Sequence, residues 1–306
     1  MKKNRNKSIS LILLILITIS ILFYFWYTNI YNLDSTEPIK SIISNNKEEK
    51  RALSFPNKIN DYYIHIPWGI PKLKNEIYKL NSSPEMSNIV LKKYKGYACG
   101  YNRNKKISDW VSYYIKKEYL YKKKILKKKK FKPAPSIKKE FSARLLDYKR
   151  SGYDRGHLAR QADMYGRSLE CELEACYLTN IAPQKPEFNR KIWLNIENLV
   201  QKWAKIYGDL YILTGPIYDE NKTFLKKEKR IEIPDSFYKI VIKKNKVIDN
   251  YDILTFLLDQ NDKSLNPESY LVSIDSIETL TNLDFFHLLE DYTENEIEKK
   301  IEKRVW

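Results

Sequence analysis

From Asn189 onward, Ile192, Ile196, Leu199 and Trp203 recur at helical spacing, and no other stretch of the chain shows so clear an apolar helix face. Short β-rich runs surround it. "DLYILTGPIYD" (209–219) reads as a buried strand closed by a Gly-Pro turn, and "SFYKIVIKK" and "NYDILTFLLD" read as two more strands. "EACYLTNIAPQ" (174–184) reads as a strand through Tyr177, Leu178 and Thr179, ended by Pro183. "KKYKGYACGYN" (92–102) is strand and turn, whereas periodicity leaves "DWVSYYIKKEYL" (109–120) open between strand and helix. Ser273 or Asp275 caps a helix before Ile277, and "FFHLL" around His287 reads as an apolar helix. Helices and strands alternate without a βαβ rhythm or an internal repeat, so the expected class is α+β. Hydrophobic residues make up 43% of the 306, enough to exclude a disordered chain and to build one large core or two small ones.

The N-terminus constrains the chain differently. Lys2, Lys3, Arg5 and Lys7 precede an uncharged run from Ser8 to Leu33. Such a run is long enough to span a bilayer, with its basic flank on the cytoplasmic side and Phe23 to Tyr27 as an aromatic belt. A cleaved signal peptide is the competing reading, but no Ala-x-Ala pattern marks a cleavage site, so an uncleaved anchor is favoured. The expected organisation is an anchor or signal segment over 1–27, a polar tether over 28–57 and a folded domain over 58–306.

Charge narrows the partners. Lys and Arg outnumber Asp and Glu by 55 to 38, a formal net charge of +17, which favours polyanions: nucleic acid, anionic lipid or acidic polysaccharide. The polybasic stretch "YKKKILKKKKFKPAP" reads as an exposed loop that attracts phosphate. Three cysteines are too few for a disulfide scaffold. Cys171 and Cys176 either pair or remain buried free thiols, and no His/Cys cluster has zinc spacing.

The chemistry concentrates in "SGYDRGHLARQAD" (151–163) and the segments after it, up to Glu197. Arginine lowers a neighbouring histidine's affinity for protons, which suits His157 as a neutral base beside an anion site. On an extended strand Arg155 shares a face with His157. Asp154 braces the turn or pairs with a basic neighbour. Hydrolysing a phosphodiester needs a base for water, positive charge for the transition state and help for the leaving oxygen, which a hydrated magnesium ion supplies with few protein ligands. Asn180 follows a strand and Asn189 opens the helix. Glu197 lies roughly 12 Å further along that helix, so Asn189 is the direct ligand expected and Glu197 acts through a metal-held water. His65 and His287 are expected to be structural.

"DRGH", then "TNIAPQ", then "FNRKIWLNIE" resemble the DNA/RNA non-specific endonuclease family of secreted bacterial nucleases and mitochondrial endonuclease G. "YNRNKKISDWV", "LTGPIY", "IPDSFYKIVI" and "IETLTNLDFF" extend the resemblance, in order, across most of the folded part. It implies a ββα-metal fold with a central, mainly antiparallel sheet flanked by helices. It also implies Mg2+-dependent cleavage of DNA and RNA, with Mn2+ as a substitute ion, leaving 5′-phosphates. His157 would be the general base, Arg155 a phosphate contact, Asn189 the single metal ligand and Glu197 the holder of a metal water. Asn180 would orient the histidine or the metal waters. Lys130 or Lys132, beside Phe131, would stand in for an upstream arginine of other members. Arg160, where many members carry proline, would contact phosphate or cover the surface. The catalytic domain would lie outside a bacterial cytoplasmic membrane or in a mitochondrial intermembrane space, with a homodimer among the possible states. The rival from another class is a membrane-tethered nucleic-acid receptor without catalysis.

Overall fold

Every residue of the strand Leu210–Ile217 is buried, so it must lie inside a sheet covered on both faces. The computed structural model describes residues 63–74, 88–128, 130–244 and 251–306. These lie within one compact unit, Phe55–Trp306. The strands in chain order are β1 (Lys72–Leu73), β2 (Ile89–Lys93), β3 (Ala98–Asn102), β4 (Ile107–Ile115), β5 (Asp154–His157) and β6 (Ile181–Gln184). They continue with β7 (Leu210–Ile217), β8 (Ser236–Lys244), β9 (Tyr251–Asp259) and β10 (Leu283–Asp284). The central sheet has the order β2-β3-β4-β7-β8-β9 and every neighbouring pair is antiparallel. β1–β10 and β5–β6 form two separate small sheets.

Side-chain alternation along the central strands divides the core in two. Leu210, Ile212, Phe237, Val241, Leu254 and Phe256 face one apolar cluster. Tyr211, Leu213, Tyr238, Ile240 and Ile242 face the other. The helices are α1 (Leu145–Tyr148), α2 (Leu169–Glu174), α3 (Pro186–Phe188), α4 (Leu194–Tyr207), α5 (Ile274–Thr281) and α6 (Asp291–Lys299). α4 covers the first face with Ile196, Val200, Trp203 and Ala204, and the β5–β6 pair adds Leu158, Ala159, Ile181 and Ala182. α5 covers the second with Ile274 and Ile277, assisted by Trp68, Phe285 and Phe286. The result is a mixed α/β fold around a central antiparallel sheet.

The helix expected from Asn189 is present but interrupted. A π turn, Asn189–Trp193, joins α3 to α4. Its cause is aromatic packing. Phe188 and Trp193 are five residues apart, which an ordinary helix would set about 140° apart. The i→i+5 closure of a π turn brings them to one side. Their ring centroids lie 5.5 Å apart, and each also meets Phe237 of β8, at 5.5 and 5.6 Å. The extra residue shifts the phase downstream, so Val200 is buried where Leu199 was expected and Leu199 only half so.

Other expectations need correction. Tyr177-Leu178-Thr179 is not a strand: Leu178–Asn180 forms a 3-10 turn and β6 begins at Ile181. Pro183 sits inside β6, pairing with Arg155, because β6 has a free edge on its other side. Gly215-Pro216 does not end β7, whose register with β8 runs on to Ile217. β4 leaves β7 at Thr214, so Pro216 costs no bond on that side, and a side chain at Gly215 would strike the Asp109 carbonyl. The segment at 109–120, open between strand and helix by its pattern, is the end of β4 followed by a 3-10 turn, Lys117–Tyr121. No helix forms around His287. Asn282 takes the left-handed conformation that ends α5, and β10 and turns follow. Ser273 is the α5 cap, accepting from Ser276 N. All three cysteines are buried free thiols, so Cys171 and Cys176 do not pair. The expected anchor and tether, 1–57, lie outside the described residues, and no described helix is long and apolar enough to cross a membrane.

His65 is buried beside β4. Its Nδ1 accepts from Tyr114 N, so the proton sits on Nε2, facing Lys95 O. Burial, then the charge of Arg167, lowers its pKa to about 3. The unfolded chain binds this proton near pH 6.5 and the folded one does not, so the stability His65 contributes is complete above that pH and lost towards pH 3. We expect His65→Gln to destabilise the protein at pH 7.5. Urea unfolding at lower pH should narrow the gap to wild type by about 1.4 kcal/mol per unit below pH 6.5. A gap independent of pH would show that His65 is not held neutral.

Candidate active site

The β5–β6 pair sets Asp154 opposite Gln184 and His157 opposite Ile181. Gly156 is required here because a Cβ would lie 2.0 Å from Gln184 Oε1. Gln184 is fully buried, and neither amide atom has a hydrogen-bond partner among the described residues. Arg155 and His157, two apart, share one face of β5, and Phe131 meets both. Its ring centroid is 5.3 Å from that of His157 and 4.6 Å from the Arg155 guanidinium carbon. Arg155 is exposed and His157 half-buried. A flat apolar ring against each holds the two in a fixed relation.

Just beyond His157 the chain is clamped. Leu158 N donates to Asn180 O, and Ala159 N to Asn180 Oδ1 at 2.8 Å. Asn180 Nδ2 donates to Ala159 O and Ala175 O at 2.8 and 2.9 Å. Asn180 is fully buried and its amide is engaged by the backbone at Ala159 and Ala175, so it supports the strand that carries His157.

Two ties bind this strand to the helix. Asn189 Nδ2 donates to Asp154 Oδ2 at 2.9 Å, and Arg190 grips the same carboxylate through Nε and Nη2 at 2.9 and 2.8 Å. Burial alone would raise the Asp154 pKa, but the bonds from Arg190 and Asn189 and the charges of Arg190 and Arg155 outweigh it and hold it below the ordinary value. Further along, Arg160 Nε lies 3.4 Å from Glu197 Oε2, Nη1 donates to Glu197 O at 3.0 Å and Nη2 to Asn198 Oδ1 at 2.7 Å. Arg160 therefore turns its fork onto α4, a partner that neither of its expected roles included. His157 sits midway between the ties, three residues from Asp154 and three from Arg160.

The π turn also sets Asn189 against Glu197. Eight residues of regular helix, at about 100° each, would leave them about 80° apart. One residue absorbed by the π turn makes the spacing equivalent to about seven, within about 20° of a single face. Glu197 is buried to 9% exposure. Lys132 lies with its Nζ 5.4 Å from the Tyr177 ring and its backbone bonded to Cys176 and Leu178. Lys130 is exposed, and Phe131 is the side chain this segment gives to the site.

The donor set suits a hard, hydrated cation. Asp154 accepts, so Asn189 must turn Nδ2 towards it, which leaves Oδ1 as a ligand atom. Among the described residues, groups of three His, Cys, Asp or Glu side chains close enough to share an ion occur only among Asp275, Glu278, Asp284, Glu294 and Glu298, not here. One amide oxygen and a nearby carboxylate match an ion that keeps most of its water. The sequence concealed Asp154 as the orienter of Asn189, Arg160 as the partner of Glu197, and Phe131. "DRGH" shortly ahead of an isolated arginine was the only local signal.

The sequence pattern of the DNA/RNA non-specific endonucleases matches residues 74–292. The chain is 29% identical over 218 residues to the mitochondrial nuclease EXOG of Mus musculus, covering 67% of this chain and 59% of that protein. It is 29% identical over 217 residues to a nuclease of Nostoc sp., covering 67% and 76%. With mitochondrial endonuclease G of Homo sapiens it shares 29% over 166 residues, 51% and 55% of the two chains. The aligned part thus spans just over half of each mitochondrial relative. A crystal structure of an EndoG/EndoGI complex, described as showing the mechanism of EndoG inhibition, superposes with a TM-score of 0.64 at 24% identity, over 78% of this chain and 96% of that one.

Replacing Asn180 with Ala would leave three buried backbone groups, Ala159 N, Ala159 O and Ala175 O, without partners. We expect a loss of about 2–5 kcal/mol in urea unfolding. A loss below about 1 kcal/mol would mean that the clamp beyond His157 is not structural.

Proposed function

The chain belongs to the DNA/RNA non-specific endonuclease family, and from that premise we propose that it is a divalent-metal-dependent endonuclease hydrolysing phosphodiester bonds of DNA and RNA without sequence preference. What supports the reading is the pair of ties, Asp154–Asn189 and Arg160–Glu197, that join the segment carrying His157 to the π turn and α4.

His157 accepts the proton of the attacking water at an imidazole nitrogen, and Phe131 restrains the ring and screens it from bulk solvent. Arg155 adds positive charge for the phosphate. Water oxygen bonds to phosphorus as the bond to the 3′-oxygen breaks, leaving a 5′-phosphate. Asn189 Oδ1 would hold the metal ion, and Glu197 its outer hydration. When bound, Mg2+, or Mn2+ in its place, neutralises charge on the phosphate and stabilises the departing oxygen. Asn180, Asp154 and Arg160 position these groups without touching substrate. The net charge of +17 draws the polyanion in, and phosphate contacts dock it without reading bases.

In this proposal the nuclease part is the segment 58–306, preceded by a tether over 28–57 and a membrane anchor or signal segment over 1–27. The catalytic part would lie outside a bacterial cytoplasmic membrane or in a mitochondrion, and the mitochondrial names of the mouse and human relatives support the second placement.

The decisive experiment is Mg2+-dependent degradation of plasmid and single-stranded RNA by the full chain, with a chelator control. His157→Ala should abolish cleavage while nucleic-acid binding persists; unchanged turnover would remove His157 from the mechanism, and a wild-type chain that binds without cutting would leave only a receptor. Asp154→Ala should raise the Mg2+ concentration for half-maximal rate about 10-fold or more. Its thermal midpoint should barely move, because the Arg190 side chain it pairs with is exposed. An unmoved Mg2+ midpoint would rule out Asn189 as the oriented ligand.

A further inference from the structure

Lys239 is fully buried in the middle of β8. Alternation puts it on the face of Phe237 and Val241, beneath α4. Its Nζ lies 4.2 Å from the ring centroid of Trp193 in the π turn and has no hydrogen-bond partner among the described residues. A bare ammonium in a core is costly, and a fold keeps one only where other charges offset the loss of water.

Those charges are present. Glu197 from α4, Asp163 from the 3-10 turn Gln161–Met164, and Arg160 at the start of that turn all lie within electrostatic reach of Lys239. Asp163 is itself buried, accepting from Gln201 Nε2 of α4 at 2.7 Å and from Tyr113 OH of β4 at 3.2 Å. Glu197 is paired with Arg160. With both acids ionised and both bases protonated the four groups carry two positive and two negative charges, a neutral set between the sheet and α4. Burial lowers the proton affinity of Lys239, and Glu197 and Asp163 oppose the fall. Burial raises that of Asp163, and Arg160, Gln201 and Lys239 oppose the rise.

We propose that Lys239 is a positioning residue of the active site: its buried ammonium balances the carboxylates of Glu197 and Asp163, and so holds Glu197 in place beside the π turn that presents Asn189. The functional half of this assignment rests on the reading of Glu197 as part of the site. The charge balance does not. The cost of burying the ammonium is accepted because, without it, two buried carboxylates would share one arginine, and Glu197 would be drawn from its place.

A four-protein cycle on the full chain tests this: wild type, Lys239→Met, Glu197→Gln and the double variant. Methionine keeps the apolar stem against Trp193 and removes only the charge. In EDTA, Lys239→Met should lower the thermal midpoint by about 5 °C, and adding Glu197→Gln should restore at least half of that, because removing one charge of each sign returns the set to neutrality. If Lys239→Met alone fails to fold and the double variant folds, the conclusion is the same. A midpoint near wild type for Lys239→Met, additive losses in the double variant, or a double variant that does not fold when Glu197→Gln does, would each overturn the proposal. With Mg2+, Lys239→Met should cut kcat about 10-fold with KM within about 2-fold, and should cost nothing further in the Glu197→Gln background. Equal losses in both backgrounds would reduce Lys239 to a packing role. A wild-type chain that cuts no nucleic acid would defeat the nuclease reading, and the unfolding cycle would still decide the charge balance.

Discussion

One extra residue in a helix governs the geometry of the whole site. The π turn Asn189–Trp193 exists because Phe188 and Trp193 both pack on Phe237 of the central sheet, which regular helix would forbid. Its cost in hydrogen-bond geometry is offset by two large aromatic side chains buried to 1% exposure. The same turn rotates Asn189 towards the face of Glu197 and aligns the pair with the two ends of a seven-residue stretch centred on His157. The core thus fixes the spacing of polar groups on its surface. Substitutions at Phe188, Trp193 or Phe237 act on the site through helix phase, although none of the three is a ligand.

Much of the scaffold was legible because it depends on local pattern. β7, β8 and β9 announce themselves as apolar runs, and Ser273 as a cap, because strand burial and capping are decided within a few residues. Misreadings fall where a distant neighbour decides. Gly215-Pro216 reads as a turn until the early departure of β4 frees that edge of β7. Tyr177 to Thr179 reads as strand, but these residues close a 3-10 turn that holds Asn180 under Ala159. The π turn cannot be read from spacing, because its cause is a phenylalanine on another element. Ile192 and Ile196 were legible as core, and the exchange of Leu199 for Val200 was not, for the same reason.

The site shows the same division. Arg155 and His157 share a face by strand geometry alone. Their link to Asn189 runs through Asp154, 35 residues from it in sequence, and Arg160 reaches Glu197 across 37. Position in the motif said nothing of these partners. Arg160 illustrates the difficulty: nothing in the motif shows that its three guanidinium nitrogens face Glu197 and Asn198 of α4. Phe131 lay between the two lysines that drew attention, and extended backbone turns alternate side chains to opposite sides.

Charge is partitioned with the same economy. Asp154 is neutralised by Arg190, and Glu197 by Arg160, so the region around Asn189 presents a neutral amide oxygen with its nearest carboxylates already paired. A divalent ion held by a neutral ligand keeps its formal charge, which then remains for the phosphate. Under the nuclease reading, ion and substrate would therefore reinforce each other's binding, the ion adding to the positive charge of Arg155. A carboxylate at 189 would bind the ion more tightly alone and give up part of the attraction that matters when phosphate arrives. On that reading the paired buried charges serve orientation, while Arg155, the excess of basic residues and a bound ion would meet the phosphates.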